Sequence, residues 1–135
     1  MNTNKGPASW EGDPEEVDAG LSKEIIGCAI KVSNGLGVGF LEKVYENALV
    51  HELGKAGKRT EQQKTLEVFY DGIVVGQYAA DVVVDSKIII ELKVAKEISD
   101  IHQAQLINYL RATGIRIGLI LNFGTSRLGI RRLVV

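Results

Sequence analysis

The stretch Ala80-Asp81-Val82-Val83-Val84-Asp85-Ser86-Lys87-Ile88-Ile89-Ile90-Glu91-Leu92-Lys93 decides the fold of this chain. Two runs of β-branched residues flank Asp85-Ser86, a pattern typical of two strands joined by a tight turn. Unbroken apolar runs of this kind predict strands that are buried on both faces. The sequence therefore predicts that helices cover both sides of the sheet.

Two carboxylates and a lysine stand near one end of these predicted strands. If Asp85-Ser86 closes a hairpin, Asp81 falls opposite residue 90 or 91, close to Glu91. Alternate side chains of a strand share a face, so Glu91 and Lys93 point the same way. Two adjacent carboxylates repel each other unless a cation lies between them, and oxygen ligands suit Mg²⁺ or Mn²⁺. Lys93 could orient or deprotonate a bound water, or neutralise charge on a phosphorus. The alternative is that these residues are solvated or salt-bridged where the sheet meets water.

Outward from this stretch, periodicity and turn signals predict the element order α-α-β-β-β-α-β-β, with one mixed sheet flanked by helices. The first helix is predicted from Asp18 to Ser33 and ends at Asn34-Gly35, and the second stops between Gly54 and Gly57. The β-rich runs that follow are 66–70, 73–78, 80–84 and 87–94. After them the sequence predicts a helix capped by Ser99 or Asp100 that reaches about Thr113, and strands at 115–121 and 129–135.

The helices carry a second set of candidate residues. Glu42 lies at the margin of the apolar stripe of the second helix, from which it could reach the sheet edge as a third acid. Gln105 and Tyr109 are one turn apart in the third helix. The alternatives are a solvent-exposed acid for Glu42 and local hydrogen bonding for the polar groups of Gln105 and Tyr109.

Length and composition limit the class of protein. A chain of 135 residues with 45% hydrophobic and 24% charged residues is typical of one compact globular domain. We expect residues 1–16 to form a flexible acidic leader and residues 17–135 a single domain. The single Cys28 excludes an internal disulfide, no apolar run could span a bilayer, and residues 1–16 lack a signal-peptide core. We therefore expect a cytoplasmic protein with no membrane partner.

Charge is unevenly distributed along the chain. The net charge is −1, but residues 101–135 carry five arginines and no acid. This local patch argues against tight binding of a long duplex by a monomer. The apolar end Leu133-Val134-Val135 predicts a short strand, one that could lie at the sheet edge and favour a homo-oligomer.

Several motifs in sequence order resemble the family named for its GxxExxY signature, present here as Gly39-Phe40-Leu41-Glu42-Lys43-Val44-Tyr45. The resemblance extends from about residue 20 to the end of the chain. It continues through Tyr78-Ala79-Ala80-Asp81, Ile90-Glu91-Leu92-Lys93, the run from His102 to Leu110, the run from Gly118 to Gly124, and Ile130-Arg131-Arg132.

That family resembles a branch of the PD-(D/E)xK nuclease superfamily, which implies a restriction-endonuclease-like α/β fold. The resemblance implies that Asp81 and Glu91 are metal ligands and that Lys93 is the catalytic lysine. It also implies that Glu42 is an additional acid, and that Gln105 and Tyr109 form a QxxxY motif that supports substrate binding. The chain departs from the superfamily pattern at Ala80, which stands in place of the proline.

Two functions follow as hypotheses. The first is a Mg²⁺- or Mn²⁺-dependent nuclease that hydrolyses DNA or RNA with a metal-activated water. The second is a non-catalytic module that keeps the nuclease fold and acts as an oligomeric or partner-binding protein. The near-neutral charge and small size favour the second hypothesis, whereas the intact acid-acid-lysine set favours the first.

Overall fold

A computed structural model describes residues 18–135. It contains three helices and five strands in the predicted order, which confirms the mixed α/β architecture. Their bounds are α1 Ala19–Leu36, α2 Glu42–Lys55, β1 Thr60–Tyr70, β2 Ile73–Val84, β3 Ile88–Lys93, α3 Asp100–Thr113, β4 Ile117–Asn122 and β5 Gly129–Val134.

The five strands form one sheet in the order β1-β2-β3-β4-β5. Neighbouring strands are antiparallel except β3 and β4, which are parallel because α3 connects them. Both central residues of the turn between β2 and β3 have positive φ, 51° at Asp85 and 58° at Ser86. Two left-handed residues match the right-handed twist of the strands, so this turn fixes the register of the hairpin.

Helices cover both faces of the sheet. Helices α1 and α2 pack over one face, where Val82, Ile88 and Ile90 belong to a buried cluster with Ile25 and Leu49. Helix α3 packs over the other face, with a second cluster formed by Ala80, Val83, Ile89, Leu106, Leu110 and Ile120. Consecutive residues of β2 and β3 thus enter different core layers, which explains the unbroken apolar runs.

The predicted boundaries differ most from the structure at the end of α1 and the start of β1. Helix α1 continues through Asn34-Gly35 and ends at Leu36, where Gly37 has a positive φ of 71° and its N–H donates to the Ser33 carbonyl. Strand β1 begins at Thr60, six residues before the predicted start, because its polar first half pairs with the end of β2. At β1, long-range strand pairing outweighs the local signal.

The predicted acidic leader, residues 1–16, lies outside the described residues. Among the helices of residues 18–135, none is both long and apolar enough to cross a membrane. Cys28 is half-buried at the edge of the first core cluster. Burial and the nearby Glu52 and Glu24 raise the pKa of its thiol, which favours the unreactive form.

Candidate active site

The site forms where β2 and β3 separate. Their pairing runs from Val84↔Ile88 to Val82↔Ile90, and the next two residues are Asp81 and Glu91. At these two residues, hydrogen bonds between backbone and side chain take the place of the backbone hydrogen bonds that join the strands. The Asp81 N–H donates to Oε2 of Glu91 at 3.2 Å, and the Leu92 N–H donates to Oδ2 of Asp81 at 2.8 Å. The structure therefore brings the two predicted carboxylates together.

A local irregularity in β2 gives Asp81 its orientation. Ala80 and Val83 both pack in the α3-side cluster although they are three residues apart, so the alternation of faces is interrupted between them. On the neighbouring strand, Gln63 has a φ of 50°. Its amide donates to Oδ1 of Asp81 at 3.2 Å and to Oε1 of Glu46 at 3.0 Å. Gln63 thus links Asp81 to the buried Glu46 of α2.

A small cavity on the α3 side of the sheet gathers most of the predicted site. Strand β3 contributes Glu91 and Lys93, and α3 contributes Gln105 and Tyr109. Residues that the sequence did not predict complete the wall, namely Tyr78, His102 and Leu106. The shared face predicted for Glu91 and Lys93 is therefore present, and the QxxxY pair lies on the same cavity.

Burial and charge repulsion raise the pKa of the Glu91 carboxyl. Burial raises the pKa of its carboxyl to about 7, and the neighbouring Asp81 adds to this effect. Tyr78, the Asp81 N–H and Lys93 act in the opposite direction but do not cancel it. Burial and the Glu91 carboxylate in turn raise the pKa of the Tyr78 hydroxyl. Among the described residues, that hydroxyl has no hydrogen-bond partner of regular geometry.

Glu42, the first residue of α2, interacts electrostatically with Asp81 and Lys93. Partial burial raises the pKa of its carboxyl, Asp81 raises it further, and Lys93 opposes both effects. Within residues 18–135, however, no three acidic, histidine or cysteine side chains come close enough to hold one metal ion. Glu42 is therefore an electrostatic neighbour of Asp81, and its role as a ligand stays a prediction.

Two site residues lacked a usable sequence signal. His102 is isolated in the sequence, but its Nδ1 accepts the N–H of Ser99 at 3.3 Å in a capping box at the start of α3. That bond leaves the proton of a neutral imidazole on Nε2. Tyr78 stacks on Tyr109 with ring centroids 3.6 Å apart. The reciprocal cap Ser99-x-x-His102 could have been suspected, although histidine is not the usual partner in such a box.

Backbone contacts fix the end of β3. The Phe123 N–H donates to the Lys93 carbonyl at 2.9 Å. The buried Asn122 side chain accepts from the Ala95 N–H and donates to its carbonyl, both at 3.0 Å. A Cβ at Gly124 would collide with the Ala95 backbone, so only glycine allows this approach. The loop after β3, and Lys93 before it, are held in place from β4.

The donor set of this site fits a divalent ion. Asp81 and Glu91 supply paired carboxylate oxygens, and Mg²⁺ commonly binds through one or two carboxylates with water filling the rest of its shell. Burial raises the pKa of Glu91 and Asp81 adds to it, so ionisation of this carboxyl is unfavourable without a further cation. A bound cation would relieve that repulsion, so the residues present are compatible with a metal site.

The structure has a mixed sheet with an Asp, a Glu and a Lys assembled where two neighbouring strands part. This combination defines a nuclease-like domain of the PD-(D/E)xK type. A model of the PD-(D/E)XK nuclease superfamily matches residues 19–133, and the chain belongs to that superfamily. The narrower resemblance to the GxxExxY family stays an interpretation of the motifs.

The comparison with solved structures agrees at the level of the fold. The chain resembles the crystal structure of SSO0001 with a TM-score of 0.53 and 24% sequence identity, over 69% of this chain. It spans half the length of that protein. No curated protein matches the chain.

Proposed function

We propose that this protein is a Mg²⁺- or Mn²⁺-dependent nuclease that hydrolyses phosphodiester bonds in DNA or RNA. One observation carries the proposal: the Asp81 and Glu91 carboxylates converge beside Lys93, and the pKa of Glu91 is raised to about 7. A carboxylate with a raised pKa beside a lysine in a cavity is a common mark of a catalytic site. The cytoplasmic location stays a prediction, based on the single cysteine.

Each residue has a distinct role in this proposal. Asp81 and Glu91 hold the metal, which when bound would activate water and neutralise charge on the phosphate. Lys93 lies beside Glu91 and supplies a positive charge for the phosphate as negative charge develops on its oxygens. Gln105 and Tyr109 line the same cavity, where their polar groups would position the nucleic-acid strand.

Two measurements on the same variants test the proposal. Titration calorimetry with Mg²⁺ or Mn²⁺ should show binding by the wild type and none by Asp81→Ala, which removes a charged oxygen donor. Lys93→Ala should keep its metal affinity, because lysine is not a ligand, yet lose about 100-fold or more in cleavage rate. Lys96→Ala is the matched control, since this exposed lysine lies three residues beyond Lys93 in the loop after β3.

The cleavage assay uses labelled single- and double-stranded DNA and RNA, with and without EDTA. Cleavage that persists in EDTA, or equal activity of Asp81→Ala, would contradict the assignment of this site. A wild type that neither binds metal nor cleaves any of these substrates would favour the alternative hypothesis, a non-catalytic oligomeric or partner-binding module.

A further inference from the structure

Large apolar side chains are exposed on two sides of the candidate active site. One group lies in the α1–α2 loop and the first turn of α2, and the other lies between the end of β3 and the start of α3. We call these residues the apolar rim; they are Val38, Phe40, Leu41, Val44, Val94 and Ile101. Their exposure ranges from 39% at Val44 to 81% at Leu41.

The α2 side of the rim is joined to the site through a row of aromatic rings. The ring of Phe40 packs edge-on against Tyr45 with centroids 6.1 Å apart, and Tyr45 stacks on Phe123 at 4.8 Å. The N–H of Phe123 donates to the carbonyl of Lys93. Leu41 occupies the N-cap position of α2, directly before the first residue of that helix. This side of the rim is therefore anchored to the backbone at Lys93, and Glu42, which directly follows Leu41, interacts electrostatically with Asp81 and Lys93.

The α3 side of the rim adjoins residues of the site along the chain. Val94 directly follows Lys93, and Ile101 directly precedes His102, which lines the cavity with Glu91. Ile101 is 70% exposed in the first turn of α3. Exposed apolar side chains at the starts of α2 and α3 therefore adjoin, along the chain, residues that interact with or line the site.

Charge near the site does not match the backbone of a duplex. The cation that acts on Glu91 is Lys93, while Asp81 next to Glu91 and Glu42 at the start of α2 add negative charge. Lys43, at the start of α2, is paired with Glu46 at 2.9 Å. A duplex hides its base faces and presents phosphates, so tight binding to it needs several cations along a groove. A single strand exposes its base faces, which stack on apolar and aromatic side chains regardless of sequence.

We infer that the apolar rim binds the unpaired bases of a single-stranded nucleic acid, and that the substrate of this site is single-stranded. This inference rests on the proposed nuclease function and specifies its substrate. Phe40 provides an aromatic platform, Leu41 and Ile101 provide apolar contacts on the two sides, and Lys93 meets the phosphate between them.

Binding without cleavage tests the inference. The full chain is titrated in EDTA against a labelled mixed-sequence oligonucleotide, as a single strand and as its duplex, in DNA and RNA forms. We expect the single strand to bind about tenfold tighter or better, with a salt dependence no steeper than that of two or three phosphate contacts. Phe40→Ala and Leu41→Ala should each weaken single-strand binding about fivefold or more and leave duplex binding unchanged.

Two further variants control for loss of folding and for a general effect of truncating an exposed apolar side chain. Phe40→Leu keeps an apolar contact with Tyr45, so it should fold as the wild type does and still lose the stacking contribution. Val75→Ala is the matched control, because Val75 is 59% exposed on β2 near the hairpin turn of β1 and β2. It should bind the single strand as the wild type does.

The outcomes separate this inference from the proposed function. Equal or tighter binding of the duplex, or unchanged single-strand binding by Phe40→Leu and Leu41→Ala, would overturn the inference even if metal-dependent cleavage is present. A fall in the light-scattering mass of the rim variants without a change in affinity would show that the rim is a protein interface, and would overturn it too. Failure of the wild type to bind either form would also overturn it, while metal binding and cleavage would still decide the proposed function.

Discussion

Glu91→Gln should make the metal-free protein more stable at alkaline pH. In the folded state, burial and Asp81 raise the pKa of Glu91 from an ordinary value of 4.5 to about 7. Below the ordinary value the carboxyl is neutral in both folded and unfolded chains. Between the two values the folded chain retains a proton that the unfolded chain has lost, so the stability of the wild type falls as pH rises.

The size of the effect follows from this gap. Each pH unit of difference in pKa is worth about 1.4 kcal/mol, which gives a maximum cost of about 3 kcal/mol above pH 7. Part of that cost is already present at pH 5, so the change between pH 5 and pH 8 is about 2 kcal/mol. Glutamine keeps an oxygen that can accept the Asp81 N–H but carries no charge, and it removes this pH-dependent cost.

Urea denaturation in EDTA, at about pH 5 and about pH 8, measures the difference in free energy of unfolding between wild type and variant. We expect the variant to gain about 2 kcal/mol relative to the wild type on going from the lower to the higher pH. Glu97→Gln is the control, because this exposed acid should show no such gain. Adding Mg²⁺ at pH 8 should stabilise the wild type and not Glu91→Gln, because only the wild type keeps both carboxylates.

A constant difference between wild type and Glu91→Gln at both pH values would refute this reasoning. It would show that Glu91 titrates normally in the folded protein and that its carboxylate is not forced against Asp81. A variant less stable than the wild type at pH 8 would be stronger evidence against the reasoning, because it would mean that the ionised Glu91 carboxylate is already compensated without a metal.

Three further predictions concern the surroundings of the site. Gly124→Ala should lower the free energy of unfolding, measured by urea denaturation, by about 1–3 kcal/mol, because the added Cβ would collide with the Ala95 backbone. The control Gly54→Ala should not destabilise the protein, because a Cβ at Gly54 has open space. Glu42→Gln should weaken Mg²⁺ binding in calorimetry less than Asp81→Ala does, because Glu42 does not join a three-residue ligand cluster within residues 18–135; equal losses would contradict this. Because β5 ends in apolar residues at a sheet edge, light scattering should give a mass above the 14.7 kDa monomer, and a monomer mass at micromolar concentration would count against self-association.

The pairing of the two central strands could be predicted from the sequence because its determinants are local. Asp85-Ser86 closes the turn, and counting back along each strand places Asp81 opposite residue 90 or 91; the observed register, with Val84 opposite Ile88, selects Glu91. The two-residue period then puts Lys93 on the same face as Glu91. The helix with Gln105 and Tyr109 was likewise predictable, because Ser99 at its start and Gly114 at its end are strong boundary signals.

Only the tertiary structure determined which other side chains complete the site. Gln63 itself has a positive φ in β1 and lies next to the interruption in β2, which lets its side chain reach Asp81. No local sequence pattern encodes that coincidence. Tyr78 and His102 meet Glu91 because the β1–β2 hairpin and α3 converge on one cavity. Turns, caps and strand periodicity depend on residues a few positions apart, whereas these contacts depend on how separate elements pack. The sequence thus determined the pair of acids and the lysine, and packing determined the burial that raises the pKa of Glu91.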